Sequence, residues 1–205
     1  MYRLICLFLG YLLGCFQTSY ILGKSTRNID IRQFGSGNAG TTNTFRVLGW
    51  KLGVVTFFGD FFKAIIAVLI CKYLFQDSSL MAALYAGFGV IAGHNWPFYL
   101  HFKGGKGIAS TLGFLFAFDY RVGLVCLLII ALTIILTKYV SLGSILLAIS
   151  LPIIVYFLHS NNTSLLELMT IIMLFSFSAI LKHKSNIKRL LSGTESKLKI
   201  KSKTK

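Results

Sequence analysis

The strongest constraint on this chain is that its apolar residues arrive in blocks of about 15–22, the length a helix needs to cross hydrocarbon. A bilayer interior offers no water to the backbone, so such blocks specify helices that satisfy their own N–H and C=O groups. Seven blocks are read, at residues 2–23, 52–73, 78–100, 107–118, 121–137, 141–158 and 164–182. The long apolar stretch after residue 106 is divided at Asp119-Tyr120-Arg121, and Pro152 is expected to bend the sixth helix. Arg3 is the lone charge at the start of the first block, which runs on well past Cys15, so it reads as a retained span and not a cleaved leader. The expected fold is all-α and polytopic. One membrane domain of seven transmembrane helices covers residues 1–182, and a motif with a basic tail covers 183–205.

Lys and Arg positions orient the bundle. Placing the first loop in the cytoplasm puts Lys24, Arg27, Arg32, Arg46, Lys51, Lys103, Lys106, Lys138 and the tail on that side. Only Arg3, Lys72 and Arg121 fall opposite, which sets the N-terminus outside and the C-terminus in the cytoplasm. The formal net charge is +15, a value that in a soluble protein would suggest nucleic acid. Here the charges sit in loops and tail, so topology accounts for them and no nucleic-acid partner is expected. Tail lysines near an anionic leaflet contribute about 1 kcal/mol each, so the tail reads as an anchor. Cys6, Cys15, Cys71 and Cys126 all lie inside apolar blocks with no CxxC pair and no ligand spacing. Neither disulfide, metal nor cofactor is expected.

Three polar, Gly-rich or His-containing segments fall on the one face. The first, residues 34–50, reads FGSGNAGTTNTFRVLGW. Its glycines tolerate positive φ and should turn backbone N–H groups inward, while Ser36, Asn38, Thr41, Thr42, Asn43 and Arg46 add side-chain donors. The second, residues 93–110, reads GHNWPFYLHFKGGKGIAS. Gly104, Gly105 and Gly107 flank Lys106 just before an apolar helix, a combination of free N–H groups and a cation suited to an anion. The third, residues 182–195, reads KHKSNIKRLLSGTE, where His183 and Asn186 share a helical face. Asp60 and Lys63, an i, i+3 pair inside the second span, should face the bundle interior as an ion pair.

GSGNAGTTN, GHNWPFYLHFKGGKG and HKSNIKRLLSGTE resemble the three signature motifs of the bacterial acyl-phosphate:glycerol-3-phosphate acyltransferases, the PlsY type. Their order and the membrane segments between them match as well. The resemblance implies an enzyme of the bacterial inner membrane with its active site facing the cytoplasm. Such an enzyme moves an acyl group from acyl phosphate to the 1-hydroxyl of glycerol 3-phosphate, giving lysophosphatidic acid and phosphate at the entry to phospholipid synthesis. It implies catalytic roles for Ser36, Lys106, His183 and Asn186. It further implies substrate contacts at Gly37, Asn38, Gly40, Thr41, Asn43, Arg46, Gly104, Gly105, Gly107 and Ser141. A monomer working beside an upstream acyl-phosphate-forming enzyme is the expected assembly. The chain departs from the family pattern at Ala39, Thr42 and Ala64, outside the expected donors.

Other readings fit less well. Gly35, Gly37 and Gly40 satisfy GxGxxG, but no βαβ unit surrounds them, so a dinucleotide site is excluded. No histidine is followed by Asp at HxxxxD spacing, the usual mark of thioester-dependent acyltransferases. A transporter for an organic phosphate would want internal repeats and polar groups at mid-membrane, and no repeat is visible. A mixed-anhydride donor is already activated, so the chemistry needs two phosphates held together, one aimed hydroxyl and a stabilised oxyanion. His183 or a substrate phosphate oxygen are the alternatives for taking the proton.

Overall fold

The computed structural model describes residues 1–198, and among these every regular element is helical. The terminal lysine-rich residues 199–205, most of the expected anchor, lie outside the described residues. The helices are α1 (Tyr2–Gly14), α2 (Thr18–Arg27), α3 (Thr41–Val47), α4 (Trp50–Leu74) and α5 (Ser79–Asn95). They continue with α6 (Ile108–Phe118), α7 (Tyr120–Thr137), α8 (Val140–His159), α9 (Leu165–Lys182) and α10 (Lys184–Leu191). Five apolar segments are long enough to cross a bilayer: the α1–α2 segment, α4, α7, α8 and α9. The α5 helix has 17 residues and α6 only 11.

α5 is the axis of the bundle. Twelve of its 17 residues are buried, and small residues let neighbouring backbones come close. Side chains at Gly89 and Gly93 would run into the carbonyls of Leu7 and Tyr11 on α1. Side chains at Gly10 and Gly14 would run into Ala86 and Val90 on α5. The outer faces are apolar: Phe58, Phe62, Ile66 and Leu69, about one turn apart on α4, are all exposed, as are Leu124, Leu128, Leu132 and Ile135 on α7. These are faces for hydrocarbon.

The sequence expectations need correction at three boundaries. Residues 2–23 do not form one helix, because the chain breaks over residues 15–17 between α1 and α2. The third helix stops at Asn95 and not at residue 100, since Pro97 holds extended backbone and disfavours helix before it. The expected loop at 34–50 contains the two-turn helix α3, closed by Gly49 at φ 90° before α4 begins. Asp119 does interrupt the long apolar stretch, capping α7 by accepting from the Arg121 N–H at 2.9 Å. His159 ends α8 with Nε2 3.1 Å from Asp119 Oδ2 and its ring against Phe118.

Contacts sort the helix ends into two groups. At one end Arg3 and Tyr85 bind Glu167, and Lys72 donates to the Ala117 carbonyl. At the other end meet the loop before α4, the loop before α6, the start of α8 and the region around α10.

Candidate active site

The first motif is a turn locked from inside. Asn43 is buried, its Oδ1 accepts from the Ser36 N–H at 2.8 Å, and its Nδ2 donates to the Ile31 and Phe34 carbonyls. Gly35 and Gly37 take φ of 62° and 72°, whereas Gly40 is extended at −159°. Three of the turn's N–H groups are spent: Ser36 donates to Asn43 Oδ1, Gly37 to Phe34 O and Gly40 to Asn38 O. The N–H groups of Gly35, Asn38, Ala39, Thr41 and Thr42 have no acceptor among the described residues, while the Asn43 side chain spends its amide shaping the turn from within. Ser36, Asn38, Thr41 and Arg46 line the cavity with side chains that make no hydrogen bond among the described residues. Thr41 Oγ1 is buried without a partner, and Arg46 has neither hydrogen bond nor ion pair among the described residues.

Arg32 ties this turn to the second motif, donating to the Leu100 and Lys103 carbonyls at 2.9 and 3.1 Å while Asp30 grips it from behind. In the second motif Gly104 and Gly105 spend their N–H groups on Asn95 O and His94 O. Both lie behind the site and pack on His94, and neither lines the cavity. Gly107, at φ 77°, turns the chain into α6 so that Lys106, Gly107, Ile108 and Ala109 face inward.

All the remaining expected residues line one cavity of about 450 Å³. Ser36, Gly37, Asn38, Gly40, Thr41, Asn43 and Arg46 form one side; Lys106 and Gly107 form a second; Ser141, His183 and Asn186 form the third. Beyond this polar end the wall becomes Phe57, Leu112, Ile130 and Ile134, all from apolar helices. One end suits anions and the other a hydrocarbon chain.

Charge in the polar end is tuned by burial. Burial, with Arg189 and Arg46 nearby, pushes the Lys106 ammonium down to about 8. Its Nζ donates to Asn186 Oδ1. Burial and the Lys106 charge push His183 down to about 4, so it is neutral at pH 7. Its Nδ1–H donates to the Ala179 carbonyl at 2.8 Å, which leaves Nε2 as a lone-pair acceptor. The helix expected to continue past Lys182 breaks at His183 and restarts as α10, yet His183 and Asn186 both stay buried and both reach the cavity.

Glu195, Arg189, Asp60 and His94 also line the cavity, beyond the expected site residues, and Asp60 makes the ion pair with Lys63 that its spacing predicts, at 2.9 Å. Glu195 draws three side chains together. Its carboxylate accepts from Asn186 at 2.9 Å, Arg189 at 2.7 Å and Ser141 at 3.1 Å. Burial alone would raise its pKa, but those three hydrogen bonds outweigh it and hold the carboxyl below its ordinary value. The available signal was that Glu195 is the lone acid in the three motifs.

Fold and site together define an integral membrane protein with a cation-lined pocket set against apolar helices. Residues 4–193 match the family model described as glycerol-3-phosphate acyltransferase. The glycerol-3-phosphate acyltransferase of Thermoanaerobacter sp. (strain X514) is 46% identical over 97% of this chain and 96% of its own. That of Clostridioides difficile (strain 630) is 43% identical over 92% of each. A crystal structure of PlsY (YgiH), an integral membrane glycerol 3-phosphate acyltransferase in its glycerol 3-phosphate form, superposes with a TM-score of 0.86. It is 33% identical and covers 97% of this chain and 96% of that one. The lysophosphatidic acid form of the same enzyme gives 0.83 at 32% identity. This chain belongs to the glycerol-3-phosphate acyltransferase family and is an acyltransferase of phospholipid synthesis.

Proposed function

We propose that this acyltransferase moves an acyl group from acyl phosphate to the 1-hydroxyl of sn-glycerol 3-phosphate, yielding lysophosphatidic acid and inorganic phosphate as the first committed acylation of phospholipid synthesis. It does so at the cytoplasmic face of a bacterial inner membrane, with seven spans and the N-terminus outside. The observation that carries this reading is the single cavity uniting Arg46, Lys106, His183 and Asn186 with a wall of Phe57, Leu112, Ile130 and Ile134. Arg46 and Lys106 hold the two phosphates, and the hydroxyls of Ser36 and Thr41 orient them. The acyl chain lies along the apolar wall. The glycerol hydroxyl oxygen attacks the acyl carbon, an ester bond forms, and the bond from that carbon to the phosphate oxygen breaks.

His183 Nε2 is an acceptor and aligns the hydroxyl. Held near a pKa of about 4, it binds a proton less well than a phosphate dianion, whose second pKa is about 6. The hydroxyl proton therefore leaves with the departing phosphate. Purified protein should release phosphate only when acyl phosphate and glycerol 3-phosphate are both present. Transfer from acyl-CoA at a comparable rate would overturn the donor assignment, and transmembrane movement of glycerol phosphate without acylation would overturn the reaction.

A further inference from the structure

Beneath the cavity lies a buried network that the acyl-transfer reading leaves unused. Asp60 and Lys63 on α4 and His94 on α5 are each nearly inaccessible, with exposures of 1, 6 and 2%. Lys63 Nζ has three acceptors: the Phe16 carbonyl at 2.6 Å, Asp60 Oδ1 at 2.9 Å and His94 Nδ1 at 2.9 Å. Three acceptors around one nitrogen, one of them a carboxylate, describe an ammonium using all its protons. The Phe16 carbonyl is available because the chain is unwound between α1 and α2, and non-helical backbone at membrane depth persists where protein groups satisfy it. Thr18 at the start of α2 also donates to Asp60, at 3.2 Å. Gln17 from the same break donates to the His94 carbonyl at 3.0 Å.

The ammonium decides the state of His94. Its Nδ1 accepts from Lys63, and Asp60 Oδ1 at 3.6 Å from Nδ1 is too far to be an alternative acceptor. The ring proton therefore sits on Nε2. That atom packs where the two Gly-rich loops meet: a side chain at Gly105 would collide with it and with the Ala39 carbonyl. Nε2 has no partner among the described residues, and His94 lines the cavity floor together with Asp60. His183 presents a bare Nε2 to the same cavity, so the two imidazoles offer opposite polarity.

We propose that the Asp60–Lys63–His94 chain is a positioning device that fixes His94 as an Nε2–H donor to a phosphate oxygen of the bound substrate. This rests on the phosphate cavity of the reaction proposed above, but its test does not depend on turnover. In full-length protein labelled with 15N-histidine, one imidazole should show a protonated Nε2 and a bare Nδ1, and its Nε2 signal should move on titration with inorganic phosphate. With the His94 signal identified by its disappearance in His94→Gln, a protonated Nδ1 on that residue, or an Nε2 signal indifferent to saturating phosphate, overturns the assignment.

A pair of variants supplies the kinetic arm. The amide of His94→Gln reaches the Nε2 position and keeps a donor there, whereas His94→Asn reaches only the Nδ1 position. A hydrogen bond to a charged group corresponds to roughly a 10- to 100-fold change. His94→Asn should therefore lose at least about tenfold more kcat/KM than His94→Gln, and equal losses overturn the proposal. Wild-type protein that shifts its Nε2 signal but transfers no acyl group refutes the reaction alone. An active wild type with an indifferent His94 refutes the donor alone.

Discussion

Arg46 carries a guanidinium with no protein partner among the described residues, so deleting it removes nothing that the fold depends on. Arg46→Ala should lower kcat/KM by at least about 100-fold, the range for a donor aimed at developing charge. Its unfolding midpoint in detergent should stay close to wild type. A matching fall in the midpoint would mean the side chain is structural. Lys106 differs because its charge is conditional. With its pKa depressed to about 8, the ammonium is present below that value and is lost as pH rises through it. In the free enzyme kcat/KM should then fall about tenfold per unit on the alkaline side, because that parameter reports free-enzyme ionisations. Lys106→Arg keeps its charge throughout, so any activity it retains should lack this limb. Persistence of the limb in that variant would assign it to another group.

At the scale of helices, the α1–α5 contact is the most demanding. A side chain at Gly89 would meet the Leu7 carbonyl, which is backbone and cannot rotate away. Gly89→Val should cost about 1–3 kcal/mol by overpacking and lower the unfolding midpoint by several degrees. An unchanged midpoint would show that the two helices can separate freely. The sequence made α4 and α6–α9 legible because each is a long apolar run, with Asp119 marking one boundary by its capping chemistry. It concealed the break before α2 because Phe16 and Tyr20 keep the run apolar. The polar trio Gln17-Thr18-Ser19 was the trace left by it, and all three are buried. The site was legible wherever Gly, Lys and His cluster in one segment. The parts played by His94 and Glu195 stayed hidden because they arise from partners 31 and 54 residues away, as in the contacts of Lys63 with His94 and of Ser141 with Glu195.

Across the whole molecule, charge and contact divide the same way. Each basic residue at the far end is spoken for: Arg3 by Glu167, Arg121 by Asp119 and Lys72 by the Ala117 carbonyl. The near end keeps surplus cations, as the positive-inside rule asks of a cytoplasmic face. The four native cysteines are buried, so a cysteine-free background is practicable. In it, Gln76→Cys and Asn161→Cys should react with an impermeant thiol reagent on intact cells. Lys103→Cys and Lys184→Cys should react only after permeabilisation. Labelling of Lys103 and Lys184 from opposite sides would dismantle the shared cavity.

Glu195 gives that cavity a built-in competitor. Its carboxylate already occupies Ser141, Asn186 and Arg189, so an incoming phosphate meets a cluster whose attraction is partly quenched. An enzyme gains no kcat from holding substrate and transition state equally hard. A resident anion loosens that grip, so the carboxylate that gathers the cluster also keeps it from clasping a phosphate group too tightly.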